Sequence, residues 1–124
     1  MNGLAFGRER RLTSAKQYSR VMRPGAIRAG HARFTVIARP NDGPHARLGL
    51  AIAKKHVRRA VDRNRIKRLV REEFRLHLAT LPSLDIVVLA RPDTARSTQG
   101  ELRESIQGSW RLLRERGSRP KKER

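Results

Sequence analysis

Residues 58–71 read RRAVDRNRIKRLVR, and seven of the fourteen, Arg58, Arg59, Arg63, Arg65, Lys67, Arg68 and Arg71, are cationic. Placed on a helix running from about Ala60 to Leu78, the segment separates into two faces. Ile66, Leu69, Val70, Phe74 and His77 share one arc, while Asn64, Arg68, Arg71 and Arg75 fall in a stripe about 60° wide on the other. The apolar arc requires a sheet or a second helix to cover it, and the cationic stripe requires water or a polyanion. Asp62 reads as the N-cap, which places Arg63, Asn64 and Arg65 in the first turn. Cations at that end oppose the helix dipole, at a cost of a few tenths of a kcal/mol each for exposed sites, on the order of the dipole interaction itself. A local rule broken in this way points to function. The free N–H groups of a helix start, surrounded by guanidinium forks, suit phosphate oxygens.

The flanking sequence supplies the sheet. Residues 32–39, ARFTVIAR, alternate Phe34, Val36 and Ala38 with Arg33, Thr35, Ile37 and Arg39, the period of a half-buried strand. After the turn PNDGPH, Leu48, Leu50 and Ile52 alternate with small residues, and the two runs predict an antiparallel hairpin. SLDIVVLARP, at 83–92, is a continuous apolar run suited to a central strand. Two capping boxes, Ser14 with Gln17 and Thr98 with Glu101, open an N-terminal helix ending before Arg23 and a C-terminal helix carrying Leu102, Ile106, Trp110 and Leu113. Gly117 is a natural stop for the latter. The predicted order is αββαβα, an α+β sandwich of one small sheet packed against helices. The expected organisation is a basic segment at 1–12, one domain at 13–116 and a basic tail at 117–124.

Thirty Lys and Arg against eleven Asp and Glu give 124 residues a formal charge of +19, for which a polyanion is the default partner. There is no cysteine, so disulfides, thiolate metal sites and a Cys nucleophile are excluded. No apolar stretch has the form of a signal h-region or a membrane span, and a soluble, cytoplasmic protein is the expectation. Asp42, Asp62, Asp85, Asp93, Glu72 and Glu73 are scattered in turns or beside Arg, unlike the clustered carboxylates of a two-metal nuclease. His31, His45, His56 and His77 lack metal-ligand spacing; His77 reads as a packed residue, and His56 could reach phosphate. Neither catalytic nor metal-ligating residues are expected in the chain.

The run RAVDRNRIKRLVRE, an Arg-Asn-Arg followed by Ile-Lys-Arg on one helix, is similar to the signature of the protein subunit of bacterial ribonuclease P. LGLAIAKKHVRRAV before it, FGRERRLTSAKQYSRVMRPG and DIVVLARP extend the resemblance from about Arg11 to Arg116. It implies a left-handed βαβ crossover, against the usual rule for parallel strands. It also implies a catalytic RNA that holds the active site and its magnesium, and a protein that binds this RNA and grips the 5′ leader of precursor tRNA. Carried over, the RNA contacts are Lys54, Lys55, Arg58, Arg59, Arg63, Asn64, Arg65, Lys67, Arg68, Arg71 and Arg75. The leader cleft, between first helix and sheet, takes Tyr18, Met22, Phe34 and Ile37, although Phe34 fits a core position equally well. Met22 and Ile37 cannot stack a base as a ring does. The competing reading is a ribosomal or general structured-RNA-binding protein with no role in cleavage.

Overall fold

A computed structural model describes residues 10–117. Helix α1 (Ala15–Met22) is followed by strands β1 (Ile27–Arg28), β2 (Phe34–Pro40) and β3 (Arg47–Ala51), then helix α2 (Ala60–His77), strand β4 (Leu84–Ala90) and helix α3 (Gln99–Gly117). Both capping boxes form. Ser14 Oγ accepts from the Gln17 N–H while Gln17 Oε1 accepts from the Ser14 N–H, and Thr98 and Glu101 repeat the exchange. After α1 the chain turns through Arg23, Pro24 and Gly25, the last at φ 94°, a conformation only glycine adopts without strain.

The hairpin is not formed. The strand order is β1-β2-β4-β3, so β4 lies between the two strands expected to pair. It runs antiparallel to β2 from Phe34↔Ala90 to Pro40↔Leu84, and parallel to β3 from Arg47↔Asp85 to Ala51↔Leu89. The physical reason lies in β4 itself: six of its seven residues are buried, so the strand needs cover on both faces and partners on both edges. β3, α2 and β4 make a βαβ unit, and the 41–46 connection passes from β2 across β4 to β3. Strand β1, too short to give a period, adds an edge through Ile27↔Ala38 and Arg28↔Ile37.

Alternation along β2 assigns its two faces to different layers. Phe34, Val36 and Ala38 join Leu48, Ile86 and Val88 under α2 and α3 in the main core, where Phe74 and Trp110 meet edge to face with centroids 6.1 Å apart. Ile37 and Val87 face the other way and pack with Leu12, Tyr18 and Val21 beneath α1. On the far side of the main core, the buried Glu73 of α2 accepts from Arg103 and Gln107 of α3 at 3.1 and 2.9 Å. His77 is half-buried, with Nδ1 2.9 Å from the Glu73 carbonyl, a satisfied position at the rim of the core.

The α1 layer is tied down by one carboxylate. Asp85 is 1% exposed and accepts from Arg47 Nε and NH2 at 2.8 Å each, from Asn41 Nδ2 at 2.8 Å and from Arg20 NH1 at 3.4 Å. Burial alone would raise its pKa; the hydrogen bonds from Arg47 and Asn41, with the charges of Arg47 and Arg20, more than offset this and hold it below 3.8. A carboxylate whose folded pKa lies below its unfolded value stabilises the fold above the unfolded value, and that stability is lost as pH falls through the folded one. Asp85→Asn is therefore expected to cost about 2–3 kcal/mol at neutral pH, the low end for a broken buried pair because Arg20 and Arg47 still reach water. Below about pH 4 the gap between wild type and variant should close, measured by urea unfolding across pH. A pH-independent gap would assign the loss to packing instead.

Candidate nucleic-acid interface

The basic helix begins one turn earlier than Asp62 would place it. Its N-cap is Arg59, with no side-chain cap, and Asp62 lies within the first turn, 3.0 Å from Arg65 and 3.9 Å from Arg59. Both pairs are solvent-exposed on the arginine side and contribute little to stability, so they yield readily to a phosphate. Arg63 behaves differently. Its NH1 donates to the Val57 and Arg58 carbonyls at 3.0 and 2.8 Å, stapling the preceding loop to the helix. Part of the fork expected to bind RNA is thus committed to the fold, which accounts for a cation at the wrong end of the dipole.

Beyond this turn the ridge is open. Asn64, Arg65, Arg68 and Arg71 are exposed, Lys67 and Arg75 are half-buried, and Lys54, Lys55, Arg58 and Arg59 are exposed around the uncapped helix start. Among the described residues no carboxylate pairs with Lys67, Arg68, Arg71 or Arg75; Glu73, the helix's buried acid, is turned to α3. From Asn64 to Arg75 the ridge covers about 16 Å of helix. His56, half-buried in the loop before α2, neighbours this surface.

Ridge and cleft meet. Lys67 and Arg71 line a cleft of about 150 Å³ with Arg11, Leu12, Thr13, Tyr18, Leu48 and Leu50. Tyr18 forms its wall: the ring lies over Gly49, where a Cβ would come within 2.7 Å of it. Its hydroxyl accepts from the Leu50 N–H at 3.0 Å, closing an otherwise open donor on the edge strand β3. A side chain on Gly49 would displace the ring, so glycine there is a requirement of close approach.

Of the four residues assigned to the leader cleft, Phe34 is misplaced. It is fully buried in the main core, on the sheet face opposite α1, because it alternates with Thr35 and Ile37. Tyr18, Met22 and Ile37 are on the α1 side; Met22 is 44% exposed and Ile37 only 6%. Sequence reasoning missed the rest of that face. Thr35, Leu89 and Ala51 form one cross-strand row on that face, each half-buried. Arg91 frames it, donating from Nε to Thr35 Oγ1 at 3.2 Å. The signal for Thr35 was present in the period-two alternation with Ile37; the signal for Leu89 and Ala51 required the strand order.

A cationic helix face that opens onto a cleft beside a tyrosine ring defines a small α+β RNA-binding protein, with arginines for the backbone and a concave face for unpaired nucleotides. Comparison narrows the class. The sequence matches the Ribonuclease P family over residues 6–114. It is 47% identical over 108 residues to the ribonuclease P protein component of Yersinia enterocolitica, covering 87% of this chain and 90% of that one. Against that of Photobacterium profundum it is 44% identical over 113 residues, covering 91% and 95%. The fold superposes on the ribonuclease P protein of Staphylococcus aureus with TM-score 0.76 at 28% identity, covering 83% of this chain and 94% of that one. For the Thermotoga maritima protein, solved with 1-(4-fluorophenyl)-2-thiourea, the TM-score is 0.71 at 28% identity, covering 83% and 96%. The chain belongs to the ribonuclease P protein family, the protein subunits of the ribonucleoprotein endonuclease that matures tRNA 5′ ends.

Proposed function

We propose that the exposed ridge of α2, with Lys54, Lys55, Arg58 and Arg59 around its uncapped start, binds the catalytic RNA of ribonuclease P, and that the cleft between α1 and the sheet receives the 5′ leader of precursor tRNA. The observation that carries this reading is that Tyr18, from the α1 side, and Lys67 and Arg71, from the ridge, line one small cleft at the β3 edge. One RNA strand could then pass from the cleft to the ridge without leaving cationic surface. Tyr18, Met22, Thr35, Leu89 and Arg91 make the leader-facing wall; Ile37, buried beneath α1, supports it from within the layer and Phe34 from the opposite face of the sheet. Bond cleavage belongs to the RNA, with magnesium bound there; this chain contributes affinity and orientation, in the cytoplasm where precursor tRNA is made. The folded RNA-binding unit, expected at residues 13–116, also takes in Leu12, which packs with Val21 and Ile37, and Gly117, the last residue of α3, and we place basic segments on either side of it.

The competing reading, a general binder of structured RNA, shares the charge and differs in selectivity. Affinities for ribonuclease P RNA and for an unrelated folded RNA of equal length, measured at matched salt, separate the two. A preference of at least about a hundredfold is expected, since non-specific backbone binding sits orders of magnitude below specific binding. Equal affinities would favour the general binder.

A further inference from the structure

A second cationic surface lies on the α1 layer, on the other face of the sheet from α2. Lys16, Arg20 and Arg23 recur along α1 at i, i+4 and i+7, spanning about 10 Å on its outward side. They border a single shallow depression of about 540 Å³ together with Gln17 and Ser19. α1 itself contains no acidic residue. Among the described residues Lys16 and Arg23 pair with no carboxylate.

Beside this stripe the sheet adds more positive charge. Arg47, Asp85 and Arg39 occupy one cross-strand row, Arg47↔Asp85 and Arg39↔Asp85. Arg20 and Arg47 both reach Asp85, yet their side chains remain 39% and 31% exposed. Arg39 NH2 donates to the Arg23 and Pro24 carbonyls at 2.7 and 3.1 Å, holding the end of α1. Five cations thus lie on this layer, and two of them, Arg20 and Arg47, reach its buried carboxylate. Asp42, exposed on the 41–46 connection, shares a hollow with Arg47 that none of Lys16, Arg20 and Arg23 lines. Arg20, Arg39 and Arg47 are committed to Asp85 or to the end of α1, whereas the side chains of Lys16 and Arg23 pair with no carboxylate among the described residues.

We propose that the Lys16–Arg20–Arg23 face of α1 is a second RNA-backbone site, binding a segment distinct from that on the α2 ridge. The anchoring of Arg20 by Asp85 and of the α1 end by Arg39 fixes the stripe before RNA arrives, which reduces the ordering cost of binding. The ligand is a run of phosphates, supplied either by the catalytic RNA or by the leader where it emerges past α1. This inference rests on the ribonuclease P reading given above, and the test separates the two.

The variant is Lys16→Ala with Arg23→Ala, both exposed and outside the Asp85 network. One arm measures its affinity for ribonuclease P RNA across salt. The other measures binding of precursor tRNAs with short and long leaders by the assembled ribonucleoprotein. With melting temperature unchanged, the proposal expects the log K against log salt slope to become shallower by about 2 in one arm, and affinity at low salt to fall about tenfold. The arm that responds names the RNA; a loss confined to long leaders assigns the leader. Wild-type affinity and slope in both arms would overturn the second site while leaving the ribonuclease P reading intact. Wild-type protein that binds neither RNA overturns that reading, and this one with it.

Discussion

Arg65→Ala combined with Arg68→Ala lowers affinity for ribonuclease P RNA about a hundredfold at low salt, at about 1.5 kcal/mol for each charge-assisted hydrogen bond to phosphate that is removed, and leaves the melting temperature unchanged. Both side chains are exposed, and Arg65 has a single carboxylate partner, Asp62, across a surface pair. Nothing in the fold is uncovered by their truncation. Because each arginine neutralises a phosphate and releases counterions, the salt slope should also fall by about 2. Titration of labelled RNA at several salt concentrations gives both numbers. Weaker binding with an unchanged slope would mean that these arginines act through shape and not through charge. Arg63→Ala should behave differently, destabilising the loop it staples as well as weakening RNA binding.

Phe34→Ala costs about 3–5 kcal/mol of stability, the range for deleting a buried phenyl ring. Phe34 is fully buried against the main core. In a domain of about 110 residues this lowers the melting temperature by well over ten degrees. Leader affinity of the folded fraction should be unchanged. A leader-stacking ring would give the opposite signature, about 1–3 kcal/mol lost in substrate binding with the fold intact. Thermal unfolding alongside precursor-tRNA binding by the assembled ribonucleoprotein, at a temperature where the variant is folded, distinguishes the two.

Local pattern carried much of this structure. The helix from Ala60 to His77 was legible because its apolar residues and its cations each keep the helical period, and both capping boxes were legible because Ser14 with Gln17 and Thr98 with Glu101 sit three apart. The central place of β4 followed from the apolar run at 86–90. What failed was pairing. Two alternating strands joined by a Pro-Asn-Asp-Gly-Pro turn have every local mark of a hairpin, and only competition from the more apolar β4 separates them. The misplacement of Phe34 has the same root: alternation fixed that Phe34 and Ile37 lie on opposite faces, but which face meets α1 depends on packing between distant elements. The Asp62 cap failed because Arg63 staples the loop at Val57 and Arg58, allowing the helix to start without a side-chain cap. The Asp85 cluster joins residues 20, 41, 47 and 85, a set no sequence window contains.

In the proposed function this chain assists a reaction whose active site lies in RNA. The most direct measurement is leader cleavage from precursor tRNA at low magnesium, with purified protein alone, ribonuclease P RNA alone and the two together. Cleavage is expected only, or overwhelmingly, from the mixture, and not from the protein alone. Cleavage by the protein without the RNA, or no enhancement of the RNA by a protein that binds it tightly, would contradict it.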